Sequence, residues 1–184
     1  VKVRVTDAGD GNGNFEATSE PYTLTLNISG TNDTPFLQIG NTSNPLESDD
    51  GTGTGFNAPP LLTVDAGGSF VLNNEFGPNL FFRNPDDDTG ESLGTPNVVT
   101  ITVENGTLSV PGSPSGVTGS GTVSLEITGD AGEITSLLRA LEYTPDTGFS
   151  GSDKLVIAMK DGGDQALPEA AAVVTLPIQV APVS

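Results

Sequence analysis

The sequence predicts an all-β chain, an antiparallel β-sandwich with one short crossover helix near residues 131–142. Three observations lead there. Short runs that alternate apolar and polar residues recur along most of the chain. The segments between them are rich in Gly, Pro, Asn and Asp, which favour turns. One stretch alone carries apolar residues at the helical spacing.

Taken in order, strands are expected at Leu61–Val64, Ser69–Leu72, Asn79–Phe82, Val98–Val103, Thr107–Val110, Thr122–Ile127, Lys154–Met159 and Ala172–Val180. Several short strands with frequent turns point to a sandwich or barrel. Pro177 interrupts the last of them; without an N–H it predicts an edge position or a bulge. The helix begins at Asp130, a good N-cap, and Glu133 three residues on completes a capping-box pattern. Ile134, Leu137, Leu138 and Leu141 then share one face, and about three turns bring the helix to an end near Glu142. Its expected role is to close one end of the sandwich.

Two stretches of the chain look alike. Residues 1–28 and residues 155–180 each read as a strand, an acidic Gly-containing turn, a Glu and a second strand. The turns align as Asp7-Ala8-Gly9-Asp10 against Asp161-Gly162-Gly163-Asp164. Repetition on this scale suggests tandem modules. Residues 1–34 are accordingly expected to be the closing hairpin of a preceding or split module plus linker, and residues 35–184 one complete domain.

Composition narrows the chemistry. Among 184 residues, six Lys and Arg face 24 Asp and Glu, a formal charge of -18. That charge disfavours nucleic acid and anionic membrane as partners and favours cations. No Cys and no His means no disulfide, no thiol or imidazole catalysis, and no Cys- or His-built metal site. The surplus carboxylates suit hard ions that take oxygen ligands, above all Ca2+. No apolar run approaches the length of a membrane helix.

The strings NGTLSV (Asn105–Val110), GSGTVSLEITGD (Gly119–Asp130) and EITSLLRALEYTPDTGFSGSDKLVIAMKDGG (Glu133–Gly163) occur in that order. Together they resemble the cadherin-like repeats of giant, RTX-type bacterial surface adhesins, over most of residues 98–180. The TNDTP segment (Thr31–Pro35) resembles the joint between such modules, one residue shorter. The resemblance implies an Ig/cadherin-like sandwich at the bacterial cell surface, with neighbouring adhesin modules as partners and calcium at the turns and joints. The long Leu46–Pro60 segment departs from the family pattern and suits a specialised relative that binds a ligand.

The candidate metal ligands follow from oxygen density. Asn84, Asp86, Asp87 and Asp88 form the densest cluster; the alternative is a solvated acidic loop. Asp161 and Asp164 flank two glycines that let backbone carbonyls approach an ion; the alternative is an ordinary hairpin turn. Asp7 and Asp10 carry the same pair of readings by internal analogy. By the resemblance, Asn32 and Asp33 would hold Ca2+ between modules; otherwise they are plain linker residues. Glu47, Asp49 and Asp50 read first as a solvated loop, although this is where a ligand-binding loop would sit.

Catalysis is not expected. A carboxylate pair for glycoside hydrolysis normally comes from separate strands beside aromatic sugar platforms, and the chain has no Trp. Tyr143 reads as a core or corner residue. The expected function is a calcium-stabilised extracellular module of a large adhesin, supporting cell adhesion and biofilm formation. Two alternatives stand beside it: a calcium-dependent domain near the adhesin tip that binds a host or surface peptide or glycan, and a metal-free structural Ig-like spacer.

Overall fold

The computed structural model describes residues 2–3, 22–23, 34–39, 45–46, 60–76, 80–85, 96–161 and 171–183. The chain divides into two compact units, Val1–Thr31 and Asn32–Ser184. In the first, β1 (Lys2–Val3) and β2 (Tyr22–Thr23) pair antiparallel, Lys2 opposite Thr23 and Val3 opposite Tyr22.

The second unit is all-β and sandwich-like. Its elements are β3 (Phe36–Ile39), β4 (Pro45–Leu46), β5 (Leu62–Asp65), β6 (Phe70–Val71), α1 (Leu72–Phe76), β7 (Leu80–Arg83), β8 (Asn97–Thr102), β9 (Gly106–Ser109), β10 (Val117–Thr118), β11 (Ser124–Gly129), α2 (Ala131–Arg139), β12 (Glu142–Pro145), β13 (Gly151–Lys160) and β14 (Ala171–Ala181). The largest sheet runs β10-β11-β8-β13-β14-β5; two smaller sheets run β6-β12-β9 and β4-β3-β7. Among the described residues pairing is antiparallel except between β14 and β5, which run parallel from Ile178 opposite Leu62 to Ala181 opposite Asp65.

Alternation along each strand puts one face of the large sheet inward. The registers line up Leu125, Ile101, Ile157 and Val174 in one row across four strands, each at most 2 % exposed. Ile127, Val99, Met159 and Ala172 form the next row. Phe70, Leu108 and Tyr143 are buried on one small sheet, Leu37, Leu80 and Phe82 on the other. Burying each such side chain contributes about 1.5–3 kcal/mol.

The helix α2 keeps the capping box expected of it. The Glu133 N–H donates to Asp130 Oδ1 at 2.7 Å and the Asp130 N–H donates to Glu133 Oε2 at 3.1 Å. Ile134 and Leu138 fill the core, and Thr135 docks the helix on β7: its hydroxyl accepts from the Phe82 N–H at 3.0 Å and donates to the Phe82 carbonyl at 3.3 Å.

Four differences from the sequence reading have physical causes. The helix stops at Arg139 rather than near Glu142, because the Leu141 carbonyl accepts from the Leu72 N–H and Glu142 pairs with Val71 and Ser109. Leu141 is still buried, so the apolar stripe continues past the helix that it seemed to belong to. A second helix, α1, starts at Leu72, where a strand was expected to end. Strands β3, β4, β10 and β12 were not anticipated, being only two to four residues long. Pro177 lies where β14 pairs with β13 alone, one residue before the β5 ladder begins, so its missing N–H interrupts no described ladder.

Candidate functional site

Strand β13 organises the polar chemistry of the second unit. Its buried positions are Asp153, Leu155, Ile157 and Met159, and Asp161 follows at the same parity, also buried. An apolar strand thus carries an inward carboxylate at each end, about 27 Å apart at the usual rise per residue.

At one end Asp153, 7 % exposed, is fully engaged. Its Oδ1 accepts from the N–H groups of Glu104 at 3.2 Å and Lys154 at 2.8 Å. Its Oδ2 accepts from the Asn105 N–H at 2.9 Å and the Tyr143 hydroxyl at 2.8 Å. Four donors offset the cost of burying this charge. Burial, then the hydrogen bond to Asp153, then the charges of Asp153 and Asp146, push the Tyr143 phenol well above its ordinary range. The Asn105 carbonyl in turn accepts from the Asp146 N–H at 3.1 Å. Gly106 follows by necessity: a Cβ there would lie 2.5 Å from the Thr144 carbonyl oxygen and 2.6 Å from Tyr143 Cε2. On the outer side Lys154 and Glu104 form an exposed ion pair at 2.8 Å.

This clamp draws together the Asn-Gly, Tyr-Thr-Pro and Phe-Ser-Gly-x-Asp strings. Tyr143, 1 % exposed, is a core residue. Sequence reasoning did not single out Asp153. The signal was present, because the inward parity of Leu155, Ile157 and Met159 extends back to it. The clamp is saturated with protein donors, so its role is to hold the β8–β9 turn against β12 and β13.

At the other end lie two of the residues expected to bind metal. Asn84, 2 % exposed, directly follows β7; its Nδ2 donates to Asn97 Oδ1 at 2.8 Å. Asn97, 2 % exposed, opens β8, and its Nδ2 donates to the Gly129 carbonyl at 3.4 Å. The ladder between β13 and β8 ends with Lys160 opposite Val98, so Asp161 and Asn97 come next on the two chains. Asp161 is 2 % exposed and engaged in at least one further interaction. One carboxylate and two carboxamides are therefore buried at this end of the large sheet. Asn97 was not anticipated; a lone Asn before an apolar strand gives little signal.

Asp86, Asp87, Asp88, Asp164, Asp7, Asp10, Asn32, Asp33, Glu47, Asp49 and Asp50 lie outside the described residues. Among the described residues no three acidic side chains gather into a group that could hold a metal, and no helix is long and apolar enough to cross a membrane. An open groove of about 490 Å³ borders α2, lined by Pro114, Ser115, Thr128, Gly132, Glu133, Ser136 and Leu137. Its one carboxylate, Glu133, is occupied by the helix cap. No family model, curated protein or solved structure matches this chain.

Proposed function

We propose that this chain is an extracellular, calcium-stabilised module of a large bacterial adhesin, and that its task is mechanical. The observation that carries the reading is the burial of Asn84, Asn97 and Asp161 at one end of the large sheet. Asn84 and Asp161 are the first residues of the two acid-bearing segments, 84–88 and 161–164, and both are buried at one end of the large sheet. The donor set suits Ca2+, which takes about six to eight oxygens from carboxylates, amides, carbonyls and water. Asp161, Asn84 and Asn97 would supply part of that shell, and Asp86, Asp87, Asp88 and Asp164 the remaining charge. The bound ion would offset the repulsion among these carboxylates and fasten two loops to the sheet. The chain's resemblance to cadherin-like adhesin repeats supports the same reading.

The test is thermal unfolding in EGTA and in Ca2+. An ion present at about 100 times its Kd adds roughly 2.7 kcal/mol. At about 2–4 °C per kcal/mol for a unit of this size, Tm should rise by roughly 5–10 °C. Asp161→Asn should abolish most of that rise. Superimposable melts of the wild-type protein in chelator and in calcium would sink the proposal.

A further inference from the structure

The clamp around Asp153 closes on an Asn-Gly step, Asn105-Gly106, in the turn between β8 and β9. Asn is a chemically labile residue. The amide nitrogen that follows it can attack its side-chain carboxamide carbon and close a five-membered ring. Glycine in the second place leaves that nitrogen unhindered, because it has no Cβ. The fold gives no choice at 106, since a Cβ there would meet the Thr144 carbonyl oxygen and the Tyr143 ring. The packing of Tyr143 therefore keeps the most reactive partner next to Asn105.

The same clamp holds this step still. The Asn105 N–H donates to Asp153 Oδ2 at 2.9 Å. The Asn105 carbonyl accepts from the Tyr143 hydroxyl at 3.1 Å and from the Asp146 N–H at 3.1 Å. Gly106 stands opposite Pro145 in the ladder of β9 and β12. The ring closes only when the Gly106 nitrogen swings onto the carboxamide carbon, and a planar peptide carries the Asn105 carbonyl round with it. That rotation breaks both bonds to the carbonyl and takes Gly106 out of its ladder. Asn105 is only half-buried, so water reaches it once the turn opens.

We infer that Asn105 is a self-modification site whose deamidation is gated by the Asp153–Tyr143 clamp. When the clamp opens, the Gly106 nitrogen gives up its proton and bonds to Asn105 Cγ. The bond from Cγ to the carboxamide nitrogen breaks, and that nitrogen leaves as ammonia, taking up a proton in place of the one released. Water then adds to either carbonyl of the succinimide and opens it to aspartate or isoaspartate. Nothing is oxidised or reduced, and water is the one co-reactant. Either product adds a carboxylate to a turn that already holds Glu104 and Asp153, and like charges at this range repel. Isoaspartate also adds a methylene to the main chain, so residue 105 can no longer offer its N–H to Asp153 and its carbonyl to Tyr143 in one register. A transient opening is thereby made permanent. The site lies at the opposite end of β13 from Asp161, and its chemistry is independent of calcium.

The test is peptide mapping by mass spectrometry after incubation at mildly alkaline pH, counting aspartate and isoaspartate at position 105. A second Asn-Gly step, Asn12-Gly13, is the comparison within the same digest. In urea the two steps should convert at similar rates. In folded wild-type protein Asn105 should convert at least roughly a hundredfold more slowly than in urea, because only the open turn reacts. Tyr143→Phe loosens the clamp and should raise the folded rate several-fold. Asp130→Ala removes a comparable stability at the cap of α2 and should raise it less than about twofold, because local and global opening are distinct. Conversion of folded wild-type Asn105 at the rate seen in urea, no conversion of Asn105 in urea, or equal acceleration by Tyr143→Phe and Asp130→Ala would each overturn the inference.

Discussion

Removing the Asp153 carboxylate should destabilise the second unit by about 4 kcal/mol. Asp153→Ala strips the acceptor from the Glu104 and Asn105 N–H groups and from the Tyr143 hydroxyl, and also from the Lys154 N–H. Each buried donor left without a partner costs roughly 1–3 kcal/mol. Glu104 and Lys154 are both exposed residues, where water can replace the carboxylate, so two donors, the Asn105 N–H and the Tyr143 hydroxyl, count in full. Against a total stability of about 5–15 kcal/mol this is a large fraction. At about 2–4 °C per kcal/mol it corresponds to a fall in Tm of roughly 8–16 °C. Urea unfolding followed by circular dichroism measures it, and an unchanged m-value would show that the two-state comparison holds. Tyr143→Phe alone should cost only about 1–2 kcal/mol, because Asp153 keeps three donors. The double variant should be non-additive by at least about 1 kcal/mol, since each single change removes the same hydrogen bond. A loss below about 1 kcal/mol for Asp153→Ala, or strict additivity, would refute the account of the clamp.

Three other outcomes follow. Tyr143 titrates above its unfolded value near 10, so its contribution is complete below about pH 10 and declines as pH rises, because the unfolded chain then binds fewer protons. Stability should fall by up to about 1.4 kcal/mol per pH unit above 10, and Tyr143→Phe should flatten that slope in alkaline urea titrations. Absorbance near 295 nm should give one fewer ionising tyrosine in folded protein than after unfolding. Asp130→Ala removes one half of the capping box and should cost about 1 kcal/mol, read as a small drop in Tm.

Much of the architecture is written locally, and the exceptions are instructive. The start of α2 is carried by Asp130 and Glu133, which bond each other's backbone, so a four-residue pattern suffices. Its end is decided by β6 and β9, more than thirty residues away in the chain, which claim Glu142 as a strand residue. Leu141 could not reveal this, because a buried leucine reads alike on a helix face and at a strand entrance. Asp153 illustrates the converse. An aspartate on a strand suggests an exposed turn, and three of its four donors come from segments that only the fold assembles. Asn84 and Asp161 were singled out for their neighbours in sequence, yet Asn97, a residue no motif marks, bonds the first and follows the same ladder end as the second.

The parallel ladder between β14 and β5 has a mechanical consequence. Tension on the C-terminal end of β14 acts near Gly151, the start of β13, because Gly151 stands opposite Val180. A hairpin loaded there would open like a zipper, one hydrogen bond after another. On its other side β14 runs alongside β5 in the same direction over Ile178–Ala181, the last residues before the pull. When β5 is restrained from its own N-terminal side, those bonds lie across the line of force and must slide together. Four paired residues at the mouth of the hairpin therefore convert peeling into shear, and the strength of the fold depends on the direction from which it is pulled.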